Sequence, residues 1–248
     1  MGRSAGPLAG LDGDELLRAW EAAVAVPPVR RGAAVLNAVL TDLPIDAELL
    51  PIGSCDTLLL ALRVGTFGTR LSGVTSCPKC GADVDLDVDA AAILASLPAV
   101  DSIDPEPDPV HHGDWVVRFR FPTTADLAAC ADDEDAAERV LARCTTSITH
   151  AGIPVHADAM PADIVATVTD ALAVADWAVD LRLRAECPAC AAEHSSRLDV
   201  SEFFIAELSA AAQTLLVEID ELAGRYGWSE AEILALTPSR RRTYLELR

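Results

Sequence analysis

The sequence predicts an α+β fold in which two β-hairpins meet at four cysteines and carry a mainly helical insertion and a helical C-terminus. Three observations lead there. Two turns of the same form, Cys77-Pro78-Lys79-Cys80 and Cys187-Pro188-Ala189-Cys190, lie far apart in the chain. Each is flanked by extended, alternating sequence, and the flanks match. Leu71 and Leu181 stand six positions ahead of their turns, and a Leu-Asp-Val run follows each, at Leu86–Val88 and Leu198–Val200. Elsewhere apolar residues recur with the helical period.

Taken in order, Asp12–Ala25 reads as a helix with Leu16, Leu17, Trp20 and Val24 on one side, ended by Pro27-Pro28. Arg30–Leu40 is a second helix. Thr57–Arg63 is expected as a strand, with a turn at Gly65–Gly68, before the strand Leu71–Ser76 that enters the first cysteine turn. Val84–Val88 leaves that turn, and Ala90–Leu97 is a short helix. The prolines and charges of Asp101–Pro109 predict an exposed linker. Trp115–Phe121 alternates as a strand. Thr123, with Asp126 three positions on, caps a helix that the acidic cluster Asp132–Asp135 interrupts ahead of another carrying Val140 and Leu141. Pro161 opens a helix through Ile164, Val168, Leu172 and Val179, and Asp180–Glu186 becomes the strand into the second turn. Ser201 is expected to cap a long helix through Leu222 that ends near Gly224–Gly227. Ser229 and Glu232 form a capping box, with Trp228 and Ile233 as its hydrophobic staple, and Thr237-Pro238 begins the last helix. The implied units are residues 1–70, helical and mixed; 71–90 with 181–200, a split ribbon; 91–180, the insertion; and 201–248, helical.

A Cys-x-x-Cys turn points both sulfurs into one concavity, and its proline fixes φ and keeps the turn tight. Two such turns face to face complete one tetrathiolate shell, from Cys77, Cys80, Cys187 and Cys190, which suits structural zinc. With four thiolates no open position remains for a catalytic water. Redox dithiols, disulfides and unligated thiols are the alternatives. A redox pair should sit at a strand-to-helix junction, whereas strands are expected on both sides here. Gly81 after the first turn suits a left-handed conformation; the second turn has Ala191 in that place. Cys55, Cys130 and Cys144, scattered through apolar sequence, read as reduced core thiols.

The 248 residues, 51% of them hydrophobic, can build a substantial core. A net charge of −20, with Lys79 the sole lysine, repels phosphate backbones and argues against nucleic acid as a partner. Neither a secretory pattern nor a membrane-spanning run is apparent, so a cytoplasmic location and no membrane partner are expected. Common enzyme signatures are absent, so no catalytic residue is expected and the chain is read as a non-enzyme. His111, His112, His150 and His156 read as solvated or isolated; His194, four residues after Cys190, lies close enough to approach the metal shell. Arg240, Arg241 and Arg242, with Trp228 and Tyr244, form a basic and aromatic candidate for binding a protein partner, set against a solvated helix face as the plainer alternative.

The string Tyr226–Leu236, followed by Pro238, Arg240–Arg242 and Tyr244-Leu245, resembles the ending of small proteins in the baseplate families of contractile phage tails and phage-like contractile injection systems. Phe121–Leu127 and the two Cys-Pro-x-Cys turns are similar to the same group, so the resemblance covers roughly Leu71 to the C-terminus. It implies a non-enzymatic component of a contractile particle, resident in the baseplate or hub or acting in its assembly, with other baseplate or hub subunits as partners. A zinc-ribbon adaptor or regulator and a dithiol oxidoreductase are the competing functions.

Overall fold

A computed structural model of the chain describes residues 8–41, 43–97, 107–175 and 181–247. Helices α1 (Gly13–Val24), α2 (Arg31–Val39) and α3 (Ile52–Phe67) come first, then a hairpin of β1 (Arg70–Ser76) and β2 (Asp83–Asp89), then α4 (Ala90–Ser96). The insertion contributes β3 (Val110–His112), β4 (Trp115–Phe119), α5 (Thr124–Ala129), α6 (Ala136–Cys144), β5 (Thr145–His150), β6 (Ile153–Pro154) and α7 (Ala162–Ala175). The hairpin of β7 (Arg182–Glu186) and β8 (Glu193–Arg197) leads into α8 (Val200–Tyr226), α9 (Glu230–Leu234) and α10 (Pro238–Glu246). Helices beside small antiparallel sheets make this an α+β protein.

The main core lies between α1, α2, α3 and α8 and receives the roots of both hairpins. Leu36, Leu59, Leu62, Phe204 and Leu208 are among its most deeply buried large side chains; Leu71 and Leu183 join it from the strands, and Leu198 from just past β8. The strand expected over Thr57–Arg63 is instead the middle of α3. Its run of apolar residues satisfies either period, but here burial surrounds the segment: Leu59, Leu60, Ala61 and Leu62 are all buried. Pro51 starts this helix, and Gly68, at φ 88°, stops it. Gly65 therefore lies inside the helix rather than in a turn. A Cβ there would sit 2.1 Å from the Leu8 carbonyl oxygen, so the glycine admits the N-terminal segment. On α1, Leu17 is buried as expected, with Leu16 and Trp20 packed against the core, but Ala19 and Ala23 are buried as well and Val24 is exposed.

Helix α8 is long and apolar enough to span a membrane by length and composition, yet Phe204 and Leu208 are buried in the main core and Ala212, Leu215 and Leu222 in a second cluster with Leu17 and Ile233. Its cap is Asp199, whose side chain accepts from the Glu202 N–H at 2.9 Å; Ser201 instead faces Gly32, where a Cβ would meet its Oγ at 2.7 Å. The C-terminal signals hold: Gly227 closes α8 in the left-handed region and Ser229 with Glu232 forms the capping box of α9.

The insertion, expected to be mainly helical, carries a four-stranded antiparallel sheet in the order β3-β4-β5-β6 beside its helices. Only β4 is legible as a strand. The Thr145–His150 segment is polar and weakly alternating, and β5 with β6 is closed by Ala151 and Gly152, both at positive φ, in a turn the sequence does not advertise. Val117, Phe119 and Ile148 of the sheet pack on Ile164 and Val168 of α7, giving the insertion its own small core. Residues 101–106 of the expected linker, and Val179 and Asp180, lie outside the described residues.

Candidate metal centre

The two cysteine turns are the tips of two hairpins. Pairs from Arg70↔Asp89 to Ser76↔Asp83 set the register of the first, and Arg182↔Arg197 to Glu186↔Glu193 that of the second. Each tip closes with the same two backbone bonds. The Cys77 N–H donates to the Ala82 carbonyl (2.8 Å) and the Gly81 N–H to Cys77 (2.8 Å); the Cys187 N–H donates to Ala192 (3.0 Å) and the Ala191 N–H to Cys187 (2.9 Å). Gly81 takes φ 73°, as its identity suggests, and Ala191 takes φ 54° despite its Cβ. One turn geometry is thus used twice, once on a residue that adopts it without a steric penalty and once on a residue that resists it.

The fold brings all four sulfurs within 4.8 Å of one another. Cys77 Sγ lies 3.8 Å from Cys190 Sγ and Cys80 Sγ 3.6 Å from Cys187 Sγ, both contacts running between the hairpins. Cys77 and Cys187 are buried, Cys190 is half-buried and Cys80 is exposed. Backbone N–H groups aim at the sulfurs: those of Lys79 and Cys80 at Cys77, that of Ala82 at Cys80, and that of Ala192 at Cys190. The Lys79 N–H leads in drawing the Cys77 thiol down to about 6. At Cys190 the Ala192 N–H works the same way but is outweighed by burial and the neighbouring cysteines, which push that thiol up to about 12. One sulfur ionises readily and another resists, as expected when several thiolates would share a small space without a cation among them.

The surroundings fit a soft metal ion. Around the tips only Cys77, Val84 and Cys187 are buried, with Ala82, Ala185, Cys190 and Ala192 against them, so little apolar area holds the two tips together. A hydrogen bond between the Thr75 and Ser196 hydroxyls, 2.8 Å, joins the hairpins farther down. His194, opposite Ala185 on β8, has both ring nitrogens buried without a hydrogen-bond partner, and it is not one of the four clustered ligands. A tetrathiolate with inward N–H donors suits zinc or another thiophilic metal. The cysteines sit at strand ends, away from helix N-termini, unlike a redox dithiol.

The other residues singled out by sequence are dispersed. His111 is exposed, and His112 Nε2 lies 3.9 Å from Asp163. His150 stacks on Trp115 with ring centroids 4.5 Å apart, and His156 is exposed. Asp132–Asp135 occupies the turn between α5 and α6, with Asp133 paired to Arg139. Cys55, Cys130 and Cys144 are buried thiols outside any disulfide, Cys55 donating to the Ala47 carbonyl at 3.1 Å, and burial pushes Cys144 up to about 11. The C-terminal group divides. Arg241 is 6% exposed, donating from Nε to Glu218 (3.1 Å) and from Nη1 to the Leu236 carbonyl (2.8 Å), so its guanidinium serves the fold. Arg240 and Arg242 are exposed. Trp228 stacks on Tyr226 at 4.7 Å and meets Tyr244 edge-on at 4.9 Å, which holds α10 against the end of α8.

Sequence reasoning gives Asp126 only a capping role. The structure gives it more. Its buried carboxylate accepts from Arg120 Nη1 (2.5 Å) and Nη2 (2.9 Å), from Arg143 Nε (3.0 Å), and from the Thr123 N–H (3.1 Å) and hydroxyl (2.9 Å). Arg120 foremost holds the Asp126 carboxyl well below the usual carboxylate range. Beside this network the insertion's root joins the body, where the Ile52 N–H donates to the Pro122 carbonyl (3.0 Å) and Pro51 bridges Thr123. The capping pattern flags Asp126, but nothing local marks Arg120 and Arg143 as its partners.

A family model described as T4 bacteriophage base plate protein matches residues 33–205. The matched stretch contains all four cysteines and Asp126, begins well before Leu71, and leaves α9 and α10 outside. No curated protein and no solved structure matches the chain.

Proposed function

The chain belongs to the T4 bacteriophage base plate protein family, and on that premise we propose that it is a non-enzymatic structural or assembly component of the baseplate of a contractile, phage-tail-like injection system, fastened internally by one structural zinc ion. The family match carries this reading. Its place would be within the particle or its assembly intermediates, and its partners other baseplate or hub subunits. Cys77, Cys80, Cys187 and Cys190 would hold the ion, which when bound neutralises the thiolates and cross-links the two hairpins. The inward N–H groups and the sparse apolar contact between the tips support that assignment.

For the partner surface, the exposed Arg240 and Arg242 are the residues we assign to an acidic partner, with Arg241, Trp228 and Tyr244 holding their helix in place. Affinity purification of the tagged protein from its native host, with mass spectrometry of what accompanies it, tests the reading. Recovery of sheath, tube or baseplate proteins is expected, and it should fall with Arg240→Glu and Arg242→Glu together. Recovery of polymerase, ribosomal or thiol-redox proteins instead would overturn it.

A further inference from the structure

We propose that the two knuckles hold the metal unequally: the second is the half that lets go, so metal occupancy governs the docking of the β7–β8 hairpin. This rests on the zinc reading above and adds which half of the site is releasable.

The first hairpin is built into the body. Arg63 is 3% exposed; its Nη1 donates to the Gly68 carbonyl and its Nη2 to the Arg70 carbonyl, both at 2.7 Å. Its Nε and Nη2 also reach the two carboxylate oxygens of Glu207 on α8, each at 2.8 Å. The Ala90 N–H closes the hairpin's base on the Thr69 carbonyl at 2.7 Å, and α4 continues directly from β2 onto α3. Leu71 is buried along its inner face, and Leu86 and Val88 pack on the main core. None of these contacts involves a sulfur.

The second hairpin has less. Its ladder is shorter, and in β7 and β8 only Leu183 is buried. Its tip depends on Ala191 in the left-handed region, a conformation in which Cβ crowds the backbone, while Gly81 at the matching position carries no such penalty. Opening relieves that crowding. It also returns the two ring nitrogens of His194 to water, ending the cost of burying them without partners. At its base this hairpin is held too, by Leu183 and Leu198 in the main core and by the Leu198 N–H donating to the Leu181 carbonyl at 2.8 Å. At its tip, against opening, stand the Thr75–Ser196 hydrogen bond, the small contact among alanines and cysteines, and the bonds that a metal makes to Cys187 and Cys190. Without the metal, the balance on this hairpin turns toward release, whereas the first hairpin keeps nearly everything that holds it.

The experiment takes the full chain loaded with one equivalent of Zn2+ and follows amide hydrogen exchange by mass spectrometry before and after chelation. Residues 182–197 are expected to exchange at least about tenfold faster once zinc is gone, with residues 70–89 changing by less than about twofold. In parallel, Ala191→Gly should slow chelator-driven zinc loss by about fivefold, because the strained conformation is no longer strained. Equal loss of protection in both hairpins, or a glycine variant that releases zinc at the wild-type rate, overturns the inequality and leaves the zinc reading standing. A chain that takes up no zinc at all overturns both.

Discussion

The insertion is tied to the body at two places that solve the same problem in opposite ways. At its root, where the Ile52 N–H donates to the Pro122 carbonyl, the docked segment is held in shape by the Asp126 carboxylate, buried among two guanidinium groups, a hydroxyl and a backbone N–H, so the buried charge has its counter-charge within the chain. At its returning end, four sulfurs converge with inward N–H groups but no cation of the chain's own among them. The first tie is complete as folded. The second has the geometry of a tie, and on the proposed zinc reading an ion completes it, which makes it the more conditional of the two.

The largest effect should come from breaking the conditional tie. Cys77→Ser or Cys187→Ser replaces a thiolate with a hydroxyl that does not ionise at neutral pH, and the remaining sulfurs no longer enclose the ion. Loss of zinc together with more than about 4 kcal/mol of stability is expected, or roughly 10 °C or more in Tm for a chain of this size. Metal analysis and thermal unfolding check this. A chelator should lower the wild-type Tm by a similar amount and leave the serine variants unmoved. A variant that keeps its zinc and its Tm would end the comparison at once.

Breaking the self-sufficient tie should cost less and leave the metal alone. Asp126→Asn keeps the shape but strips the carboxylate of charge, leaving Arg120 and Arg143 without a counter-charge. Because both guanidiniums reach solvent, the loss is discounted from that of a fully buried pair to about 2–4 kcal/mol, read as a shift in denaturation midpoint with zinc content unchanged. The folded pKa of Asp126 lies below its unfolded value of about 3.9, so this stabilisation is fully present above about pH 4 to 5. It is lost as pH falls further toward the folded value. With zinc removed beforehand, the stability gap between wild type and Asp126→Asn should be flat from pH 7 to 5 and narrow progressively below pH 4. A gap that stays constant to pH 2 would remove the charge-based account.

The two ties also differ in how far the sequence reveals them. The cysteine spacing, the flanking Leu-Asp-Val runs and the alternation around each turn place the four sulfurs correctly, because a tetrathiolate leaves a pattern local to each knuckle. Ala191 is instructive in the same way. As a residue type it argues against the left-handed turn, yet closing the tip on Ala192 imposes the conformation. The Asp126 network is invisible because Arg120 and Arg143 lie on β4's continuation and on α6, and only the insertion's fold carries them to one carboxylate. The α3 segment misleads for a third reason: an apolar run buried on all sides has no period to read. Likewise, Arg241 looks like its exposed neighbours, since nothing local foretells that Glu218 and the Leu236 carbonyl take up its donors.

The smallest expected effect separates the ties by their manner of failing. Arg143 reaches the same carboxylate as Arg120, but with a single Nε contact and a side chain 48% exposed. Arg143→Ala removes one donor from an acceptor that keeps Arg120 and Thr123, so about 0.2–1 kcal/mol is expected, with zinc content and the low-pH behaviour of Asp126 preserved. A network of hydrogen bonds to one carboxylate should weaken in steps according to how much each donor supplies. A tetrathiolate should fail as a unit, since three sulfurs no longer enclose the ion as four do. If Arg143→Ala instead costs as much as Asp126→Asn, the root is a cooperative lock like the metal site, and the contrast between a graded tie and a conditional one is lost.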